Sequence, residues 1–337
     1  MDNINRLSHS AITTYMSCGE KFRLHYSERL RGTKISSALL FGTAIDKALA
    51  ELVNTRDLDK ARTVFKSVWG EQEINGVKVS IPNSPDIQYS QKDTDGELLE
   101  ETPGLTDQSQ NDLAWRSLQA KGLLMLEAVN EQILPRLKKI HSTQEQINLT
   151  NDQGDSIIGF VDLVADWDNE GNTVVFDFKT ASRAYEEDSV ITSPQLSLYM
   201  HDLSDKYNTR KAGFIVLNKN IQKNRKKICK ECGNDGSATR HKTCAAEIDS
   251  KRCGGEFVET INPKATIDVI IDEIPEATET LIIDNADRVN KLVKEKIYVK
   301  NLSTCKNDYG RPCLYFNLCY RNDSTGLIKL ENKDEKK

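Results

Sequence analysis

The sequence predicts an α/β fold in which a mixed β-sheet core is flanked by helices and preceded by an N-terminal helical layer. Three observations support this prediction. Amphipathic segments of helical length occur before Pro135, on both sides of a polar stretch. Apolar runs of strand length follow, and residues 174–179 have the nearly uninterrupted apolar character of a buried central strand. Helical and strand segments then alternate, as in sheets that are covered by helices.

The helices are predicted from capping residues and from apolar residues spaced by three and four. Ser8 or Ser10 caps the first helix, the Phe41-Gly42 pair opens the second, and Pro135 ends the fourth. Pro194 begins the helix that crosses between strands. The predicted helices span residues 8–26, 39–53, 58–69, 113–134, 193–203 and 273–296.

The strands are predicted from alternating or continuous apolar runs between turn residues. They cover residues 143–149, 156–166, 174–179, 213–217 and, as less sharply bounded strand material, 257–271. Residues 75–104 are polar and contain three prolines, which predicts a long loop or flap.

The composition places limits on the class of protein. The 337 residues suffice for one large domain with an insertion or for two domains, and no apolar run of about 18 residues is present. The N-terminal residues lack the apolar core of a signal peptide, so we expect a cytoplasmic protein and no membrane partner. The net charge of −5 argues mildly against tight non-specific binding to nucleic acid, but two local basic clusters, 29–34 and 223–230, leave room for a basic groove.

The strongest functional signal lies in residues 159–199. A Gly-Phe-Val-Asp segment ends at Asp162, and an Asp-Phe-Lys segment joins Asp177 to Lys179. Because residues two apart on a strand share a face, Asp177 and Lys179 point the same way. Carboxylates that converge with an amine suit a divalent cation and an attacking water, so phosphodiester hydrolysis is the leading hypothesis.

The roles of these residues follow from that chemistry. Asp162 and Asp177 are predicted ligands of Mg²⁺ or Mn²⁺, and the backbone carbonyl of Phe178 is a further candidate ligand. Lys179 would orient or deprotonate the water or stabilise the developing charge. Gln195 and Tyr199 are four residues apart, which places them on one face of the crossover helix.

These segments, in this order, resemble the RecB-type branch of the PD-(D/E)XK nuclease superfamily. Residues 10–26 and 41–49 resemble the first two helices of that branch, so the resemblance extends from Ser8 to about Cys319. It implies a restriction-endonuclease-like fold, with Gln195 and Tyr199 facing the catalytic centre. Where many relatives have a metal-binding histidine, this chain has Asp46, which the resemblance makes a candidate ligand.

The eight cysteines fall into two sets of four, which in a chain of this class suggests metal ligation more than disulfides. Cys18, Cys305, Cys313 and Cys319 resemble the one-plus-three arrangement that holds a [4Fe–4S] cluster in AddB and CRISPR-adaptation nucleases. The spacing of seven residues between Cys305 and Cys313 departs from those relatives, and zinc or free thiols remain alternatives.

The second set predicts a zinc ribbon or knuckle. Cys229-x2-Cys232-Gly is a turn that presents two thiolates to one ion, and Cys244 with Cys253 would complete the site. His241 is a substitute ligand. We expect the segment to lie at a hairpin tip, as a structural staple, a DNA contact or a protein contact.

These features predict four regions. Residues 1–140 form a helical region that carries Cys18 and Asp46, and residues 141–320 form the nuclease core with the C-terminal cysteines. Residues 223–257 are an inserted zinc ribbon, and residues 321–337 are a flexible tail.

The resemblance implies a metal-dependent deoxyribonuclease, with an exonuclease acting on single-stranded or processed DNA ends favoured over a sequence-specific endonuclease. Such proteins act in recombination, repair or replication in bacteria and their phages, so recombination or replication proteins are expected partners. The alternative is a non-catalytic nucleic-acid-binding or assembly module that retains the fold; the Asp46 departure and the acidic net charge favour it slightly.

Overall fold

The computed structural model describes residues 6–74, 76–95, 98, 110–150, 156–248, 251–307 and 310–331. The helices are α1 (His9–Ser17), α2 (Gly19–Phe22), α3 (Ser37–Thr55), α4 (Leu58–Gly70), α5 (Gln110–Gln132), α6 (Pro194–Tyr207), α7 (Glu276–Lys294) and α8 (Phe316–Arg321). The long strands are β7 (Leu137–Thr150), β8 (Ser156–Trp167), β9 (Thr173–Ala181), β10 (Lys211–Asn218), β11 (Gln222–Cys229), β14 (Phe257–Lys264) and β15 (Ile267–Glu273). The short strands are β1 (Arg6–Ser8), β2 (Leu30–Gly32), β3 (Ile35–Ser36), β4 (Glu71–Ile74), β5 (Val77–Ser80), β6 (Ile87–Gln88), β12 (Glu247–Ile248), β13 (Lys251–Arg252) and β16 (Leu327–Lys329).

A six-stranded mixed sheet forms the centre of the described structure. Strand β8 pairs antiparallel with β7 along one edge, while its other edge pairs parallel with β1 and then antiparallel with β9. Strand β10 runs parallel to β9, and β15 closes the sheet antiparallel to β10. The parallel pair β9 and β10 is joined through α6, as a parallel connection requires. The predicted mixed sheet flanked by helices is confirmed.

Each face of the sheet is covered by its own set of helices. The core on one face packs α3, α4 and α5 around buried aromatic side chains, in which Trp69 meets Phe41 edge-on at 5.6 Å between ring centroids. The core on the other face packs α1, α6 and α7. Strand β9 contributes to both, because Val175 faces the second core and Phe176 the first. A central strand buried on both faces is the reason for its continuous apolar run.

Two predicted elements differ in the structure. The helix predicted over 8–26 is broken at Cys18, which is extended (φ −164°, ψ 112°) and separates α1 from α2; the second part ends in a wider helical turn, Arg23–Ser27. The loop predicted over 75–104 contains ordered structure, since β5 forms a hairpin with β4 and β6 pairs with β3. Residues 75, 96–97 and 99–104 lie outside the described residues.

The C-terminal segment is also more ordered than predicted. Strand β16 pairs antiparallel with β2, with Ile328 opposite Arg31, inside the region expected to be a flexible tail. Residues 332–337 lie outside the described ranges. Among the helices that the structure describes, none combines the length and hydrophobicity that a membrane crossing requires.

Candidate active site

The register between β8 and β9 positions the two predicted carboxylates. Leu163 lies opposite Phe176 and Val164 opposite Val175. Continuing this antiparallel register by one pair brings Asp162 opposite Asp177, and residues that lie opposite each other share a face. The two aspartates therefore face the side of the sheet that α6 covers.

The alternation of side chains along β8 changes next to Asp162. Val161 and Val164 pack in the same core, although side chains three apart on a regular strand point to opposite faces. This change lies beside Gln144 of β7, which has a left-handed backbone (φ 50°) and donates from Nε2 to Asp162 Oδ1 at 3.1 Å. Irregularities of this kind redirect side chains next to active sites.

Asp177 is buried, with 3% of its surface exposed. Its Oδ1 accepts a hydrogen bond from Gln195 Nε2 at 2.7 Å. Its Oδ2 lies 2.7 Å from Lys179 Nζ, as an ion pair, but accepts no hydrogen bond with acceptable geometry from the described residues. The amide of Gln195 also accepts from Lys179 Nζ at 2.9 Å, so it bridges the two groups.

The backbone of β9 also takes part. The N–H of Phe178 donates to Asp162 Oδ2 at 2.8 Å. Because the N–H and C=O of one strand residue face the same neighbour, the carbonyl of Phe178 lies on the same side as Asp162. This is the carbonyl that the sequence predicts as a further candidate ligand of the metal ion.

Burial raises the pKa of all three acids, and repulsion from a neighbouring carboxylate adds to this for Asp162 and Asp46. Burial, followed by the charge of Asp177, raises the pKa of Asp162 to about 7, although the Phe178 N–H opposes this. Burial raises the pKa of Asp177 in spite of Lys179 and Gln195. Partial burial and the charge of Asp177 raise the pKa of Asp46 to about 6. Acids held this close favour a bound cation, which removes the repulsion.

Lys179 is held as a cation. Burial disfavours the ammonium, but the charge of Asp177, 2.7 Å away, outweighs burial, and the pKa of Lys179 is raised. A lysine in this state is suited to charge stabilisation and positioning, because it has no lone pair with which to take a proton.

Asp46 is exposed at the rim of the site, on α3. Its charge acts on both Asp162 and Asp177. Among the described residues, however, the three carboxylates do not form a set whose oxygens all lie within 4.8 Å of one another. Asp46 is thus within electrostatic reach of the pair, but the three carboxylates do not form one closed ligand set.

Tyr199 secures the position of α6. Its hydroxyl donates to the carbonyl of Phe160 at 2.8 Å and lies 2.6 Å from Gln195 Nε2, which donates to it. Its ring lies so close to Gly159 that a Cβ there would stand 2.9 Å from Tyr199 Cε1. This close approach explains the glycine at the start of the Gly-Phe-Val-Asp segment.

The sequence profile of the PD-(D/E)XK nuclease superfamily matches residues 6–320. The chain belongs to the PD-(D/E)XK nuclease superfamily. Membership identifies it broadly as a nuclease, that is, a hydrolase with a nucleic-acid substrate. Members of this superfamily usually use Mg²⁺ or Mn²⁺. No curated protein matches the chain.

Two residues around this nuclease centre were missed by the sequence analysis. Gln144 gave no signal, because its contact with Asp162 depends on a backbone conformation that a strand pattern does not reveal. His9, the first residue of α1, lies within electrostatic reach of Lys179, and burial together with that charge lowers the pKa of His9 to about 4. The sequence feature that could have drawn attention to His9 was its position directly after Ser8, the residue that caps α1.

The ribbon cysteines of the nuclease form a compact site. The sulfurs of Cys229, Cys232, Cys244 and Cys253 all lie within 4.8 Å of one another, so they could hold one metal ion. They lie at the tip of the β11–β14 hairpin, as predicted, and Gly233 and Gly254 have the positive φ angles that follow such turns. His241 is exposed and is not part of this set.

The terminal cysteines are arranged differently. Cys18, Cys305, Cys313 and Cys319 line one small cavity between α1 and the C-terminal segment. Within the described residues they do not form a set with all sulfurs inside 4.8 Å. The N–H of Asn301 donates to Cys18 Sγ at 3.5 Å, and the Tyr320 hydroxyl donates to Cys305 Sγ at 3.3 Å. A four-iron cluster places each thiolate on a different iron, so it suits sulfurs spread around a cavity better than a single ion does.

Proposed function

We propose that the chain is a metal-dependent deoxyribonuclease, favouring exonuclease action on single-stranded or processed DNA ends. The observation that carries this proposal is the pairing of the buried Asp177, which is ion-paired with Lys179 at 2.7 Å, with Asp162, whose pKa is raised by burial and by the charge of Asp177. Two neighbouring carboxylates that share one ammonium retain repulsion that a bound cation would remove. The superfamily membership supports the hydrolytic class; the preference for DNA ends rests on the RecB-type resemblance.

The residues present fit Mg²⁺ or Mn²⁺. Asp162, Asp177 and the carbonyl of Phe178 would hold the ion, and Asp46 would contribute from the rim, directly or through water. These are hard oxygen donors, which both ions prefer. When bound, the ion supplies charge neutralisation and a more acidic water.

The remaining residues of the site neutralise charge or hold the charged side chains in place. Lys179, held as an ammonium, would neutralise charge on the phosphodiester oxygens. Gln195 holds Lys179 and Asp177 in register through its two amide atoms. Tyr199 anchors Gln195 to β8 through the Phe160 carbonyl. Removal of Gln195 would therefore loosen both charged groups.

We assign structural zinc to the ribbon cysteines and a [4Fe–4S] cluster to the terminal cysteines. The compact ribbon sulfurs support a single tetrahedral ion. The cavity and the hydrogen bonds to sulfur support the cluster, since such bonds stabilise cluster thiolates. The arm 222–264 has ten basic and six acidic residues in an acidic protein, which supports contact of the ribbon with DNA backbone.

The decisive experiment is a nuclease assay with Mg²⁺ or Mn²⁺ on linear and circular DNA, in single- and double-stranded form. We expect linear DNA to be shortened from its ends and circular DNA to persist. Asp177→Ala and Lys179→Ala should each lower the rate at least 100-fold, because they remove a ligand and the neighbouring cation. Full activity in either variant would remove that residue from the mechanism.

Other outcomes identify the alternatives. DNA binding without cleavage under every metal condition would support the non-catalytic module. Discrete fragments from circular DNA would support a sequence-specific endonuclease. The division into regions 1–140, 141–320 and 223–257, the cytoplasmic location and the recombination or replication partners remain part of this proposal.

A further inference from the structure

We propose that Lys121, Lys219 and Lys223 form a second anion subsite, which binds backbone phosphates of a nucleic-acid strand. In the free protein the carboxylates of Asp93 and Asp95 occupy it. The inference rests on the proposed function, because it extends the path of the same substrate, and it assigns chemistry to a cluster that the catalytic site does not use.

The three lysines come from three separate elements. Lys121 belongs to α5, Lys219 follows β10, and Lys223 belongs to β11. Burial is the main cause that lowers the pKa of Lys219 and of Lys121, and repulsion adds to it: the charge of Lys121 lowers the pKa of Lys219, and the charge of Lys223 lowers the pKa of Lys121. Convergence of three ammonium groups from distant segments is unfavourable unless an anion binds between them.

The anions present are two side chains of one loop. Asp95 Oδ1 lies 2.7 Å from Lys223 Nζ. The charge of Asp93 acts on both Lys121 and Lys219. Asp93 is 28 residues from Lys121 in the sequence, and Asp95 is 128 residues from Lys223. These interactions are therefore tertiary and not local pairs within a helix.

Lys121 and Lys219 are incompletely satisfied by these acids. Lys121 is only 6% exposed, yet its ammonium donates just one described hydrogen bond, a long one of 3.3 Å to the Lys92 carbonyl. Lys219 is half-buried, and its described contact is with the Phe41 ring, 5.3 Å from Nζ to centroid. An ammonium group has three donors, so the cluster retains capacity for a ligand with several acceptor oxygens. A phosphodiester group has this chemistry.

The cluster lies next to the catalytic strand. The N–H of Lys219 donates to the carbonyl of Ala181 at 2.7 Å, and Ala181 is two residues beyond Lys179 on β9. Two extended residues span roughly 7 Å. Phe41, which contacts Lys219, belongs to α3, the helix that carries Asp46. A strand that passes from the catalytic carboxylates across the ends of β9 and β10 would therefore reach Lys219 with its adjacent phosphates.

The carboxylates of Asp93 and Asp95 can leave the subsite by rotation of their side chains alone. The backbone of Asp95 is anchored independently, because its N–H donates to Ser117 Oγ at 2.9 Å and its carbonyl accepts from the same hydroxyl at 3.1 Å. Asp93 Oδ2 accepts from Ser37 Oγ and from the Ser90 N–H, which it would give up on rotating. Losing such a cap costs about 1 kcal/mol, which a charged phosphate can offset.

The test uses the full chain with Asp177→Ala, so that the probe is not cut. The probe is a fluorescent oligothymidylate of about 20 nucleotides, with binding followed by anisotropy at several salt concentrations. Asp93→Asn with Asp95→Asn should tighten binding about tenfold at low salt, because it removes the competing anions. Lys219→Gln should weaken binding several-fold and reduce the slope of log K against log salt by roughly 0.7.

The matched control is Asp59→Asn with Asp86→Asn, which makes the same change in net charge on surface acids outside the cluster. The subsite would be overturned if the Asp93/Asp95 double variant bound the probe no more tightly than this control. It would also be overturned if Lys219→Gln left the salt slope unchanged. If the double variant fails to fold, the Lys219→Gln slope decides. A parent protein that binds but shows neither effect refutes the subsite alone, whereas an unaltered chain that neither binds nor cuts DNA refutes the proposed function as well.

Discussion

Gln195 donates from Nε2 to Asp177 Oδ1 at 2.7 Å, while its Oε1 accepts from Lys179. One amide thus fixes both charged groups of the site without being charged itself. We expect Gln195→Ala to lower kcat about 10- to 100-fold, because groups that orient a metal ligand typically contribute this much. The change in KM should be small.

Steady-state DNA cleavage measures this effect, with thermal unfolding to verify folding. Gln195→Glu is a matched variant, since it keeps an acceptor for Lys179 but places a second carboxylate against Asp177. We expect it to be less active than Gln195→Ala at neutral pH. Equal activity of Gln195→Ala and the unaltered enzyme would show that Lys179 and Asp177 hold their positions without the amide.

The contact between Gly159 and Tyr199 gives a prediction about stability. A Cβ on residue 159 would lie 2.9 Å from the Tyr199 ring and 3.0 Å from the Ile147 side chain. Gly159→Ala should therefore destabilise the fold by about 1–3 kcal/mol, as overpacking does. Gly42→Ala is the control, because a Cβ there meets nothing within 4 Å in the interior of α3, and it should stabilise by up to about 1 kcal/mol. Urea denaturation of both variants should give opposite signs.

The raised pKa of Asp162 predicts how the metal-free centre depends on pH. The pKa is about 7 in the fold, above the value of about 3.9 in an unfolded chain. As pH rises from 4 to 7 the unfolded chain ionises first, so this group makes the metal-free protein less stable across that window. Asp162→Asn should remove the effect and stabilise the metal-free protein at pH 8 by on the order of 1 kcal/mol.

Unfolding in buffers without Mg²⁺ or Mn²⁺, at pH 5 and pH 8, tests this sign. The gain from Asp162→Asn should be larger at pH 8, and it should disappear when Mg²⁺ is added, since the ion stabilises only the intact site. If Asp162→Asn instead lowers stability at pH 8 without metal, the ionised Asp162 carboxylate does not destabilise the metal-free fold.

Asp166 predicts the opposite behaviour in acid. Burial would raise its pKa, but the Gly171 N–H, His141 and Thr173 all stabilise the carboxylate and lower its pKa to about 2. Its contribution to stability is present above pH 4 and is lost as the pH falls from 4 to 2. Asp166→Asn should cost about 1–3 kcal/mol at pH 7 and little at pH 2.

The neighbouring Asp168 provides the control for acid unfolding. Its ion pair with Arg136 is bidentate but exposed, so solvent screens it and its contribution should be smaller than that of the buried Asp166 carboxylate. Asp168 also has a positive φ of 61°, a conformation that asparagine tolerates well. Asp168→Asn should therefore cost at most about 1 kcal/mol at pH 7, less than Asp166→Asn. Equal losses for the two variants would contradict the special role of Asp166.

The two cysteine sets should respond separately to substitution. Cys253→Ser should remove bound zinc and leave visible absorption intact, whereas Cys319→Ser should remove the visible absorption of an iron–sulfur cluster and leave zinc intact. Metal analysis and an anaerobic spectrum of each variant measure both. Loss of both metals from one variant would mean that the sites do not form independently.

Much of the catalytic geometry could be predicted because it depends on local periodicity. The i, i+2 spacing of Asp177 and Lys179 and the i, i+4 spacing of Gln195 and Tyr199 fix which side chains share a face. The hairpin position of the ribbon followed from flanking strand patterns in the same way. These relations hold within one element or between neighbours in sequence.

The rest depends on contacts between distant segments. The change in alternation at Asp162 arises beside the left-handed Gln144 of another strand, and nothing in β8 itself encodes it. The break at Cys18 interrupts a pattern that remains amphipathic on both sides, so periodicity predicts one helix where two form. The pairing of Asp95 with Lys223 joins residues 128 apart, beyond the reach of any spacing rule.

The closure of the cysteine cavity has a consequence for synthesis of the protein. Cys18 lies beside Cys305, Cys313 and Cys319, and β16 pairs with β2. A ribosome makes Cys18 long before it makes the other three cysteines. The N-terminal layer therefore stays incomplete until residue 319 has been made, and a chain that stops before residue 305 has no means of completing it.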